Sequence, residues 1–261
     1  MLGKLMKYDI KNMSKILIYF YIITLGLAVI TRLIHFGSHI QAIHILELIF
    51  QGCVYAGIGN ILVNTFVHII KHFRTSFYKD ESYLTHTLPI DKNKLLLSKY
   101  LSALVVILCS IVVIILSLFI VFYSPELMLS IQTLLSSTVP GFTIPVGVVV
   151  GLVIAILFVE ICCLISFSFT AVIHGHSSNN KKGLSSFICF FAYYFASMLV
   201  SLMVIALVFA ISGNIGSLFA EQLTQTGFIT LLVTGLVCYI GYTIAFLFIS
   251  RHLFNKGVNV D

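Results

Sequence analysis

The chain has 261 residues, of which 59% are hydrophobic and only 9% charged, with a formal net charge of +6. A mean hydropathy of +1.09 leaves too little polar surface to cover a water-soluble ball of this size, which excludes a soluble domain and points to a polytopic membrane protein. Apolar runs of helical length, with no strand-type alternation, exclude a β-barrel and predict an all-α bundle of six membrane spans.

Residues 1–14 precede the first span. Leu2, Leu5, Met6, Ile10 and Met13 recur at steps of three and four, while Lys4, Lys7, Lys11 and Lys15 form a second stripe. The pattern predicts an amphipathic helix lying in the membrane interface, a separate unit from the six-span domain of residues 15–261. The first span, Lys15–Thr31, begins like a secretory signal, but no small-residue cleavage site follows it, so it reads as a retained helix. The loop Thr31–Ala42 carries His35 and His39; His44 and Glu47 follow at the start of the second span, Ile43–Ile70. These four resemble a metal cluster at first glance, but their spacing fixes no geometry, and Glu47 is expected to snorkel to water. His68 and His72 are four apart, but HIIKH lacks the glutamate of a zinc-protease motif.

Residues 71–100 form the most charged loop, KHFRTSFYKDESYLTHTLPIDKNKLLLSKY. Asp80–Leu88 reads as a helix of two turns, its first-turn acids Asp80 and Glu81 complementing the helix dipole. Pro89 ends it by removing a donor and disfavouring helix at the preceding residue. Asp91 is then placed to cap a new helix leading into the third span, Leu101–Tyr123. The chemistry of this short helix suits docking to a soluble protein; no nucleophile is paired with a base, so no catalytic residue is assigned.

The run DESYLTHTLPIDKNKLLLSKYL resembles the segment after the second membrane helix of bacterial ABC-type-2 permeases, the membrane subunits of ATP-binding-cassette exporters. The shared pattern is an acid (Glu81), Tyr83-Leu84-Thr85, Thr87-Leu88-Pro89, a basic residue (Lys94), then Leu95 to Lys99 as Leu-x-x-Ser-Lys. The close match spans about 22 residues; an interfacial helix and six spans match more loosely. The resemblance implies that Asp80, Glu81, Tyr83, Leu84, Thr85, Thr87, Leu88 and Pro89 form a coupling helix seated on a separate ATPase subunit. It implies ATP and Mg in that partner and no cofactor in this chain, which agrees with the lack of a GxxxxGK[ST] phosphate loop. It also implies pairing with a second permease, identical or related.

The loop Ser124–Ile144 contains the turn formers SPE and VPG. Span four, Pro145–Ile173, holds Glu160 near its middle, a deep acid that either lines a path, titrates, or locks helix packing. GVVVG (Gly147–Gly151) spaces two glycines for close helix approach. HGHSSNNKKG (His174–Gly183) is a polar loop, a second ATPase contact or a solvated connection. Span five is Phe187–Ser212 and span six Gly227–Ser250. In the resemblance, Gly213–Gly227 between them is where short re-entrant helices lie. All six cysteines fall in apolar spans without a CxxC pair, so disulfides and metal thiolates are not expected.

Fourteen of the fifteen Lys and Arg lie on one side of this topology, Arg32 being the exception. The positive-inside rule then predicts a bacterial plasma-membrane protein with both termini cytoplasmic. The basic balance is accounted for by this bias and by anionic lipid, without nucleic acid. The expected function is export of amphipathic or lipophilic cargo, peptides, toxins or antimicrobials first. The alternatives are a proton-coupled transporter using Glu160 and an intramembrane enzyme using His174, His176 and Glu160.

Overall fold

The computed structural model describes residues 2–37, 40–79, 82, 90–177, 182–213, 216 and 224–256. Among these the protein is all-helical, with seven helices and no strand: α1 Leu2–His35, α2 Gln41–Tyr78, α3 Lys92–Phe122, α4 Pro125–Ser136, α5 Val146–His176, α6 Lys182–Ile211 and α7 Gln225–Lys256. All but α4 are long and apolar enough to cross a membrane, giving six candidate spans. At 1.5 Å per residue α2, with 38 residues, is about 57 Å long, so it projects well beyond a hydrocarbon core of about 30 Å.

The chain forms two compact units, residues 1–130 and 131–261. In the first, α1 packs on both α2 and α3; in the second, α5 packs on both α6 and α7. Large aliphatic and aromatic side chains are exposed along every span, as lipid-facing surfaces require, while small polar groups turn inward. Hydroxyls bond across helices within each unit. Ser110 Oγ donates to Val106 O and accepts from Tyr21 (2.6 Å) and Thr65 (2.9 Å), using its one donor and both lone pairs and joining α1, α2 and α3. Thr170 and Ser250, 2.6 Å apart, join α5 to α7.

Two features, in α1 and α4, add to the sequence expectation. The helix of residues 2–14 continues without interruption into the first span as one 34-residue helix. Nothing in its sequence ends the first part: residues 10–20 hold neither Gly nor Pro. The SPE sequence starts α4, a helix where a loop with turns was expected. Ser124 Oγ accepts from Leu127 N at 3.1 Å, Pro125 occupies the first helical position and Glu126 the first turn. The following VPG does turn, with Gly141 at φ +81° and Phe142 N donating to Val139 O. This turn rests on the start of α7, with Thr143 N and Oγ1 donating to Gln225 Oε1 and Phe142 stacked on Phe228.

Candidate functional site

Of the expected coupling residues, Asp80, Glu81, Tyr83, Leu84, Thr85, Thr87, Leu88 and Pro89 lie outside the described residues. What the structure defines is the frame that carries them. On one side α2 ends at Tyr78, with Phe73, Ser76, Phe77 and Tyr78 buried. On the other, α3 starts at Lys92, with Leu95, Leu96, Ser98, Lys99 and Tyr100 buried. Asp91 occupies the N-cap position, but its side chain bonds Lys94 at 2.9 Å instead of the backbone. That ammonium holds the exposed Asp91 carboxyl below the ordinary carboxylate range.

Between these ends lies a buried ionic cluster. Lys99 Nζ donates to Asp9 Oδ1 at 2.6 Å and to Ser76 Oγ at 3.0 Å. His72 Nε2 lies 3.0 Å from the same Asp9 oxygen. Asp9 and Lys99 are 7% and 8% exposed, so an ion pair here is shielded from water, and each partner needs the other. The cluster ties α1 to the last turns of α2 and the second turn of α3. Asp9 reaches it because Asp9, Met13, Leu17, Thr24, Ala28 and Thr31 form the buried stripe of α1, while Lys4, Lys7, Lys11 and Lys15 stay exposed. In the sequence the lysine and leucine stripes dominate this segment, and Asp9 is a lone acid between them whose core position emerges from the packing of α1.

At the other end of α1, Glu47 is 5% exposed rather than snorkelling. His35 Nδ1 lies 2.7 Å from Oε1 and His44 Nδ1 3.4 Å from Oε2, while Gln51 Nε2 donates to Oε1 at 3.3 Å. Local bonds satisfy the carboxylate, so it has no need to reach water. His39 lies outside the described residues. Among those described, no three His, Cys, Asp or Glu side chains form a metal-holding group, and all six cysteines are free.

Glu160, near the midpoint of α5, lines a cavity of about 150 Å³ inside the second unit. Its other walls include Cys163 and Phe167 of α5, Tyr194, Ser197 and Ser201 of α6, and Tyr239 and Tyr242 of α7. Among the described residues, no Lys, Arg or His lines it. Tyr242 Oη donates to Ser197 O at 3.1 Å and lies 2.9 Å from Ser201 Oγ. The tyrosines and serines were invisible as a site in sequence, because each comes from a different helix and is ordinary by itself. His174 and His176 do not join Glu160: they sit 14 and 16 residues further along one continuous helix, about 21 and 24 Å away. His174 instead pairs with Tyr193.

The expected glycine pair divides. A Cβ on Gly147 would stand 3.0 Å from Leu135 O, whereas Gly151 faces open space. The tightest approach is at Gly175, where a Cβ would overlap the backbone of Ser186. Of the expected re-entrant segment, Gly213 adopts φ +70° after α6; residues 214, 215 and 217–223 lie outside the described residues. Compared with known proteins, the chain matches no protein-family model, no curated protein and no solved structure.

Proposed function

We propose that this chain is the membrane-spanning permease subunit of an ATP-binding-cassette exporter. The carrying observation is the place of the DESYLTHTLPIDKNKLLLSKYL run: it links α2 to α3 at the end where Asp9, His72, Ser76 and Lys99 tie three helices together. A soluble subunit pushing on residues 80–89 would move α1, α2 and α3 as one body rather than bend a single loop. That is the mechanical need of a coupling helix. The protein itself hydrolyses no ATP; the nucleotide and its Mg belong to the partner ATPase. A second permease copy, or a related one, completes the path, and membrane lipid surrounds it. The protein resides in the bacterial plasma membrane with both termini cytoplasmic. Spans rich in Phe, Ile, Leu and Tyr, with few charges, suit amphipathic or lipophilic cargo, peptides and toxins or antimicrobials above small ions.

Affinity purification from native membranes tests this reading. The expected result is a stoichiometric ATPase subunit retained by the wild-type chain and lost with Tyr83→Glu and Leu84→Glu. Equal retention by the doubly substituted chain would sink the coupling assignment. One observation favours a second reading, proton-coupled transport: Glu160 lines a cavity with no basic residue among the described residues of its wall. Transport that continues in vanadate, without an ATPase, would select it.

A further inference from the structure

Three hydroxyls around the Glu160 cavity, those of Ser197, Ser201 and Tyr242, have their protons committed to other groups. Ser197 Oγ donates to Tyr194 O at 2.7 Å, and Tyr242 Oη donates to Ser197 O. The 2.9 Å bond between Ser201 and Tyr242 is therefore donated by Ser201. The Tyr239 hydroxyl interacts with the Glu160 carboxylate. Towards the cavity these groups offer lone pairs, three phenol faces and one acid. A hydroxyl whose hydrogen points away is an acceptor only, so Ser197, Ser201 and Tyr242 present lone pairs beside the Glu160 carboxyl, a lining that favours a donor-rich cation over an anion.

We propose that this cavity binds the primary ammonium head of an amphiphile. Such a group has three donors and no acceptor, the complement of this lining. Tyrosine faces attract an organic cation within about 6 Å of the ring centroid, more strongly when water is excluded. A metal ion fits poorly, because hard cations require roughly six or more oxygen ligands. The cavity volume is comparable to the roughly 150 Å³ engineered cavity that takes up benzene, so it accepts a head and the first carbons of a stem. The tail must lie outside, among the apolar side chains exposed on α6, including Met198 and Leu202. Glu160 near mid-membrane is costly as a lone anion, and an ammonium would supply a counter-ion that none of the described lining residues offers. Naming this head as part of the cargo rests on the exporter reading; the binding itself does not.

The test uses the full chain in dodecyl maltoside, a neutral detergent with no ammonium. Saturable binding of radiolabelled dodecylammonium is expected, at least tenfold tighter than that of dodecanol of the same chain length. Glu160→Gln should weaken amine binding at least tenfold and leave dodecanol unchanged. Dodecyltrimethylammonium, which has the charge but no N–H, should bind more weakly than the primary amine. Equal binding of amine and alcohol by the wild-type chain overturns the proposal even if the variant fails to fold. Undiminished amine binding by a folded Glu160→Gln chain overturns it as well. Lipid extracted from the purified protein separates the sources. Enrichment of phosphatidylethanolamine that depends on Glu160 assigns the head to a lipid; amine binding without enrichment assigns it to cargo. Amine binding by a chain that retains no ATPase leaves this site standing and removes the exporter reading alone.

Discussion

Asp9 and Lys99 stabilise the first unit only as a pair. Each is charged, buried and lacking another full counter-charge, and the 2.6 Å contact is what offsets their desolvation. Lys99→Met would leave the Asp9 carboxylate buried beside His72. Breaking a buried pair from one side costs about 3–5 kcal/mol, whereas replacing both partners with apolar residues is often neutral. A large fall in the thermal midpoint is therefore expected for Lys99→Met in detergent, and substantial recovery for Asp9→Leu combined with Lys99→Met. Near-UV circular dichroism reads both; a Lys99→Met chain melting with the wild type would show that the cluster adds nothing. Gly175 is the steric counterpart in the second unit. The Ser186 hydroxyl and, just behind it, the Ser186 backbone occupy the space beside it, and the backbone cannot swing away as the hydroxyl can. Gly175→Ala must push α5 from the first turns of α6, at a cost of about 1–3 kcal/mol typical of overpacking. The same melting experiment should show a lower midpoint for this single added methyl group.

At the scale of the element, the six long helices were legible because lipid demands long apolar stretches and every span supplies one. Glu160 was legible for the converse reason, as the one acid deep in such a stretch. Its companions were not, since Tyr194, Tyr239 and Tyr242 become a site only when helices far apart in sequence are packed together. Asp9 was accessible in principle: it stands four residues before Met13 and eight before Leu17, on the face that the rest of α1 buries. Lys99 was counted as a loop charge, though it belongs to the second turn of α3. In α4 the sequence carried a complete start signal that also reads as a turn, because Ser, Pro and an acid serve both. What separates them is the continuation: residues 127–136 contain neither Gly nor Pro. Ser124→Ala should remove the cap and cost about 1 kcal/mol of local helix stability. Hydrogen exchange at Leu127, Met128 and Leu129 should then quicken roughly fivefold, the factor that about 1 kcal/mol represents; unchanged exchange would mean that Ser124 caps nothing.

At the scale of the whole molecule, the proposed topology of six crossings has the amino and carboxyl termini on the same side of the membrane, and the basic residues predict which side that is. In that proposed topology the connections 36–40, 123–145 and 212–224 share one side, and the connections 79–91 and 177–181 share the other with both termini. The first set contains no Lys or Arg, while the second, with the helix ends beside it, carries nearly all of them. The positive-inside rule therefore predicts that the second set is cytoplasmic, the side on which the proposed ATPase would reach residues 80–89. Reporter fusions decide this directly. Green fluorescent protein after Lys256 should fluoresce, and alkaline phosphatase there should be inactive. The enzyme should be active when fused at residues 37 and 141. Active phosphatase after Lys256 would invert the molecule, move the charged segment away from any cytoplasmic ATPase, and leave the Glu160 cavity, set near the middle of its helix, as the remaining lead to function.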